Sequence, residues 1–299
     1  MPSKWFLCPD QEKIEIEACL KNGGCRKGQR CATRPFLRLV AYDRAFRGVS
    51  PSSAGNGARL IYLKAVTDYV VDPYQRVWAS FGTAVHGKLS IHKYTDNVLT
   101  EEPLSDDEMA GIPDVLEEDE EIPGCFCLFD YKSGGSYKVS KQLGLEIIKN
   151  DVPILDEQGN PVLLKSGENK GKVKTKAERR IEIHPEKADL FNESLQLNRY
   201  RIMYESYGYK ISKMIIQAIP RDGGTFVAEG RGIDKNLYLI PIPRLPDIEV
   251  LAYYDNLKKE VQAAFDTGYA KKCNSYESWE GRRCEKYCEV SEACSLMGD

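Results

Sequence analysis

"LFDYKSGG", residues 128–135, decides how this chain is read. In an extended strand Asp130 and Lys132 point to the same face, about 6–7 Å apart. Opposite charges beside Phe126, Leu128 and Phe129 are unusual in a buried strand. The stretch is either a strand running out into a polar turn or half of a reactive site, and its neighbours in the chain must decide.

Upstream, "AGIPDVLEE" (110–118) and "CFCLFDYKS" (125–133) read as two antiparallel strands joined by "DEEIPG", with Asp114 at a strand end. Before them, "DPYQRVWASFGTAVHGKLSIHKY" (72–94) repeats apolar residues at Val77, Trp78, Phe81, Val85 and Leu89, the spacing of an amphipathic helix, with His86 on its flank. Downstream, residues 136–185 read as an irregular, lysine-rich insertion. Helical periodicity returns over 185–208, placing Gln196 and Tyr200 one turn apart on one face. "YKISKMIIQAIPRDGG" and "NLYLIPIPRL" read as strands, and "DIEVLAYYDNLKKEVQAAFDTG" as a long helix. This order predicts an α/β core, a central mixed sheet flanked by helices.

The charge is local rather than global. The net charge is −3, but residues 101–121 carry eleven acids and no base, and 21–47 carry eight bases against Asp43 alone. Residues 165–180 add seven bases against Glu168 and Glu178. Such blocks are solvated loops or, when basic, footprints of phosphate binding. The opening "MPSKWFLCPD" has no apolar core of a signal peptide, and no apolar run reaches the length of a membrane span. A cytoplasmic protein is expected, in a bacterial, archaeal or phage-infected cell.

That compartment keeps thiols reduced, so ten cysteines need another role. Cys8, Cys19, Cys25 and Cys31 fall in the first 31 residues, and Cys273, Cys284, Cys288 and Cys294 in the last 27. Two terminal groups of four suggest two metal sites, with disulfide pairing as the alternative. The polar segment 8–31 has almost no apolar core of its own, so structural zinc on its four cysteines would staple it. Cys125 and Cys127 read as small buried hydrophobes in a strand.

Four pieces now stand in chain order: "GTAVH", "GIPD", "FDYKSG" and "QLNRY". Asp114 and Asp130 on neighbouring strands can share a hard divalent cation, magnesium or manganese, and a nitrogen from His86 tilts the site toward manganese. Such an ion activates water and stabilises charge on phosphate oxygens, while Lys132 neutralises or orients. Together these pieces resemble the PD-(D/E)XK nuclease superfamily, in its RecB-like exonuclease branch, over roughly residues 50–294. The resemblance implies a restriction-endonuclease-like core that cuts DNA. It implies His86, Asp114, Asp130 and the backbone carbonyl of Tyr131 as metal ligands, Lys132 as the catalytic lysine, and Gln196 and Tyr200 as substrate-side residues.

Some members of that branch, the AddB-type and CRISPR-adaptation exonucleases, hold a four-iron, four-sulfur cluster on one cysteine before the core and three after it. "CEKYCEVSEAC" resembles the later triplet, but the stretch comparable to the first position offers Gly57. Cys273 is then the nearest fourth ligand, and four local thiolates suit zinc as well as iron–sulfur. The implied domains are a zinc-like module and basic helix at 1–49, a nuclease core at 50–272 with the insertion at about 136–185, and a metal segment at 273–299. The function expected is DNA cleavage, an exonuclease on single strands or DNA ends in repair, recombination, CRISPR adaptation or phage DNA processing. Helicase, recombinase or CRISPR-adaptation proteins are the expected partners. The competing reading is a nuclease-fold protein that holds DNA ends without cutting them.

Overall fold

Val115, Leu116, Phe126, Leu128 and Phe129 suit a pleated, half-buried surface, and they form the middle of the largest sheet. The computed structural model describes residues 3–42, 46–92 and 97–298. Its five-stranded sheet runs Tyr238–Pro241, Ile211–Pro220, Phe126–Gly134, Val115–Glu118, Val98–Thr100 in spatial order. The last three strands are antiparallel, with Leu99 opposite Leu116 and Leu116 opposite Leu128. Leu116 and Leu128 are fully buried, so this rung fixes the register: a one-residue slip would turn both to the other face. The chain is a mixed α/β protein, as its element order predicts.

The chain divides into two compact units. The first comprises Met1–Tyr131, Phe191–Ile216 and Pro241–Asp299; the second comprises Lys132–Leu190 and Gln217–Ile240.

In the first unit, the helix Phe191–Ser206 is buried on most sides. Leu195, Leu197 and Met203 supply its apolar contacts, while Asn198, Arg199 and Arg201 are buried polar groups with partners. Asn198 donates to the Ser194 and Pro243 carbonyls and accepts from the Leu245 amide. Arg199 grips Asp106 through both nitrogens of its fork, at 3.0 and 2.7 Å. The helix Asp247–Thr267 buries Val250, Tyr254, Leu257, Val261 and Ala264, one stripe at alternating four- and three-residue spacing. It ends on Gly268, whose left-handed φ of 72° closes the last turn.

The N-terminal segment finds its core elsewhere in the same unit. Trp5–Leu7 pairs antiparallel with Lys13–Glu15 and parallel with Val70–Val71, a mixed sheet. Phe6 and Cys19 join Leu37, Val40, Leu60, Leu63, Tyr69, Val71 and Val290 in one buried cluster, against which Cys273, Cys288 and Cys294 also pack. Both cysteine-rich ends therefore share a core.

The second unit corrects one expectation. Residues 136–185 are not irregular: a helix over Ser136–Gln142 leads into a hairpin of two nine-residue strands, Leu145–Pro153 and Thr175–Ile183. Most positions on both hairpin faces are exposed, so polar residues occupy both and the alternation that announces a strand is missing. The turn after Ile211–Pro220 is held by Asp222, which accepts from the Ser136 amide and hydroxyl at 2.5 and 2.7 Å.

Candidate metal centre

The paired rung Thr100–Val115–Phe129 is the last before the strands open. One step further along each strand stand Glu101, Asp114 and Asp130, three carboxylates from three adjacent strands. The Glu101 amide donates to the Asp114 carbonyl at 2.9 Å, which continues the register to this level. Three like charges on one rung destabilise a sheet unless something positive meets them. His86, from the helix Pro73–Leu89, faces two of them: its Nδ1 lies 3.0 Å from Asp114 Oδ1 and 3.9 Å from Glu101 Oε1. His86, Glu101 and Asp114 can each offer one ligand atom with all three within 4.8 Å of one another, and theirs is the one such group among the described residues.

The neighbours hold this set in place. The Tyr131 amide donates to Asp114 Oδ2 at 2.6 Å, and the Tyr131 ring meets the His86 ring edge-on, centroids 5.9 Å apart. Gln196 Nε2 donates to Asp130 Oδ1 at 3.0 Å, orienting the second acid from the buried helix. Tyr200, one turn on, is buried, and its hydroxyl donates to the Ile112 carbonyl at 3.2 Å, under the "GIPD" turn. Burial and the nearby Asp130 and Asp114 charges push its phenol far up, so it stays a donor. A side chain on Gly111 would strike the Tyr200 ring at 2.7 Å, which explains a glycine before the turn. Gln196 and Tyr200, expected on the substrate side, sit as supports of Asp130 and of the Asp114 turn. Lys132 follows Asp130 by two residues in the same strand, hence on the same strand face.

The chain matches no known family model and no curated protein.

Glu101 was missed by sequence reasoning. It lies inside an eleven-acid run, where composition suggests only a solvated loop. Its backbone is distinctive: φ is +49°, a left-handed value that non-glycine residues seldom adopt outside constrained sites. No sequence signal carries that information.

The cysteines are gathered more loosely, and neither group draws three sulfurs within 4.8 Å among the described residues. Cys8, Cys19, Cys25 and Cys31 nevertheless line one cavity of about 80 Å³. Cys8 and Cys25 open matching turns: the amide three residues on returns to the cysteine carbonyl, at Gln11 (φ 67°) and Gly28 (φ 76°). Burial and the other three cysteines push the Cys19 thiol up. At the other end, a side chain on Gly57 would meet Cys273 Sγ at 2.7 Å, so the Cys273 sulfur fills the space that position 57 leaves. Burial, Glu277 and, more weakly, Cys294 push the Cys273 thiol up to about 11.

Under that segment lies Arg59, 1% exposed. Its guanidinium donates to the carbonyls of Ala270, Cys294 and Gly298. These three bonds tie the C-terminal cysteine segment to the helix that follows Gly57. No helix among the described residues is long and apolar enough to cross a membrane.

Proposed function

We propose that this protein is a divalent-metal-dependent deoxyribonuclease with a PD-(D/E)XK, restriction-endonuclease-like core, acting in the cytoplasm on single strands or DNA ends. The reading rests on one observation: Glu101 and Asp114 meet His86 at the point where the sheet opens, with Asp130 at the same level on the next strand. A nitrogen and several carboxylate oxygens suit manganese or magnesium. A bound ion of this kind polarises phosphate oxygens and makes water a better nucleophile.

The chain's own residues then divide the work. His86, Asp114, Asp130, Glu101 and the Tyr131 carbonyl hold the ion. Lys132 stabilises charge on the phosphate, a task for a positioned cation. Gln196 keeps Asp130 from rotating, and Tyr200 fixes the turn that carries Asp114. Cys273, Cys284, Cys288 and Cys294 bind an iron–sulfur cluster or zinc, supported by the Cys273 sulfur at Gly57 and by Arg59 beneath. Cys8, Cys19, Cys25 and Cys31 bind structural zinc, supported by their common cavity.

Labelled single- and double-stranded DNA incubated with manganese tests the reading. Wild type cuts, whereas Asp130→Ala and Lys132→Ala lose at least a hundredfold in rate, a loss typical of removing one charge-stabilising group (about 10²–10³). A wild type that binds ends but never cuts, or variants that cut as well as wild type, would replace the nuclease with an end-holding adaptor.

A further inference from the structure

The helix that delivers His86 carries a second feature. Tyr74, Trp78 and Phe81 are 58%, 56% and 46% exposed, and their spacing of four and three residues puts the three rings on one face. Trp78 and Phe81 belong to the apolar repeat that reads as an amphipathic helix, yet only Pro73 and Ser80 of this helix are buried. Arg76 explains the orientation. It projects from the opposite side of the helix and is tied by Nε to Glu289 Oε1 at 2.6 Å and by Nη1 to the Val40 and Tyr42 carbonyls at 3.1 and 3.2 Å. With that side pinned to the core, the three rings face water. Between Trp78 and Phe81 and just beyond come small residues, Ala79, Ser80, Gly82, Thr83 and Ala84.

The surroundings favour one kind of occupant. From Pro73 to His92 there is no Asp or Glu, in a chain with 45 acids, while Lys88 adds positive charge. The helix Arg34–Ala41, which packs on this one, also lacks acids and carries Arg34 and Arg38. Apart from the cap Asp72 at the Tyr74 end, the setting is basic, and aromatic rings there match nucleic acid, whose bases offer flat faces and whose phosphates seek cations. A duplex keeps its bases stacked inside, so exposed rings serve a single strand. Phe81 precedes His86 by five residues, about 7.5 Å of helix rise and about 140° of turn, so the row of rings runs along the helix to the level of His86 on a neighbouring face.

We propose that Tyr74, Trp78 and Phe81 form a stacking row that binds single-stranded DNA and leads it to the His86 site. The proposal deepens the nuclease reading and rests on it only for the direction of the strand.

Binding is measured with a fluorescent 20-nucleotide oligothymidine in buffer freed of magnesium and manganese without added chelator, so that the cysteine-bound metals stay in place and no cleavage occurs. Trp78→Ala and Phe81→Ala each weaken binding about 5- to 150-fold, the range for loss of one base–aromatic stack, whereas Trp78→Phe largely retains it. An abasic oligonucleotide of equal charge binds weakly and equally to all three variants. In a Trp5→Phe, Trp279→Phe background, oligothymidine quenches the remaining Trp78 fluorescence. Equal affinity of wild type and alanine variants, or of abasic and oligothymidine strands, would overturn the proposal. A surface that instead served a protein partner would produce that result. The rings are exposed, so the variants keep the wild-type melting temperature. Because binding is read without cleavage, a failed Asp130→Ala test leaves this result standing, and the reverse holds too.

Discussion

Glu101 is the residue on which the proposed metal centre turns, because it brings a carboxylate beside His86 and Asp114 from a backbone held at positive φ. Strain of that kind costs on the order of 1–3 kcal/mol and persists where surrounding contacts over-determine it; here the amide bond to the Asp114 carbonyl does so. Glu101→Gln keeps the shape and removes the charge. Manganese affinity, followed by calorimetry, is expected to fall at least 10- to 100-fold, the usual cost of altering a ligand's close partner. An unchanged affinity would take Glu101 out of the centre. At this scale the sequence is legible where a motif is short and ordered. Asp114, Asp130 and His86 were all expected, and two of them prove to be in contact. Glu101 was not, since nothing distinguishes one acid among eleven until the strands are paired. Arg199 and Asn198 stand inside "QLNRY" yet work as anchors of the helix, a role that only their burial reveals.

At the scale of elements, the segment Gly57–Val66 and the C-terminal cysteines depend on each other. A methyl group at position 57 would lie 2.7 Å from both Cys273 Sγ and Glu277 Oε2, and the helix Ala58–Val66 leaves it little room to retreat. Gly57→Ala is therefore expected to displace Cys273 and release the C-terminal metal without altering any cysteine. Elemental analysis would then lose one site's iron or zinc while the N-terminal zinc stays bound. Retention of both metals would mean that Cys273 is not a ligand. Elements with an uneven face were legible: Asp247–Thr267 follows its apolar stripe to Gly268. The hairpin Leu145–Pro153 and Thr175–Ile183 was not, because a strand pair exposed on both faces has no alternation to detect. The helix Pro73–Leu89 shows the opposite case, a periodicity correctly seen whose stripe faces water.

At the scale of the whole molecule, the C-terminal tail is tied down by charge. Burial raises the Glu289 carboxyl, but Arg76 at 2.6 Å and Lys64 at 2.7 Å outweigh it and hold it below its usual 4.5. Asp119 is held lower, at about 2, by the Ser212 hydroxyl, the Glu121 amide and Lys213. Both carboxyls are depressed in the folded state, so their stabilisation is complete above their unfolded values. It is lost as pH falls through the folded ones, a window from about pH 4.5 down to 2. Thermal melts across that window should show wild type losing stability steeply. Glu289→Gln should start lower at neutral pH and converge with wild type in acid; parallel curves would show that the Arg76–Glu289 pair contributes nothing. The division into two units was not legible in the sequence. The chain crosses between them four times, at Tyr131–Lys132, Ile216–Gln217 and Ile240–Pro241 inside strands and at Leu190–Phe191 where a helix begins, so no loop linker marks the passages.

The spatial order of the sheet has a consequence for the growing chain. The strand that carries Asp130 has Val115–Glu118 on one side, made just before it, and Ile211–Pro220 on the other, made much later. Roughly 80 residues separate the two events, a delay on the order of 4–15 s during translation at ordinary speeds. Throughout it, the nascent strand presents an open edge beside Leu128 and Phe129, the kind of edge that recruits other chains. Ribosome-bound intermediates arrested between residues 140 and 210 are where a holding chaperone would matter most, before the strand that carries Asp130 acquires its second neighbour.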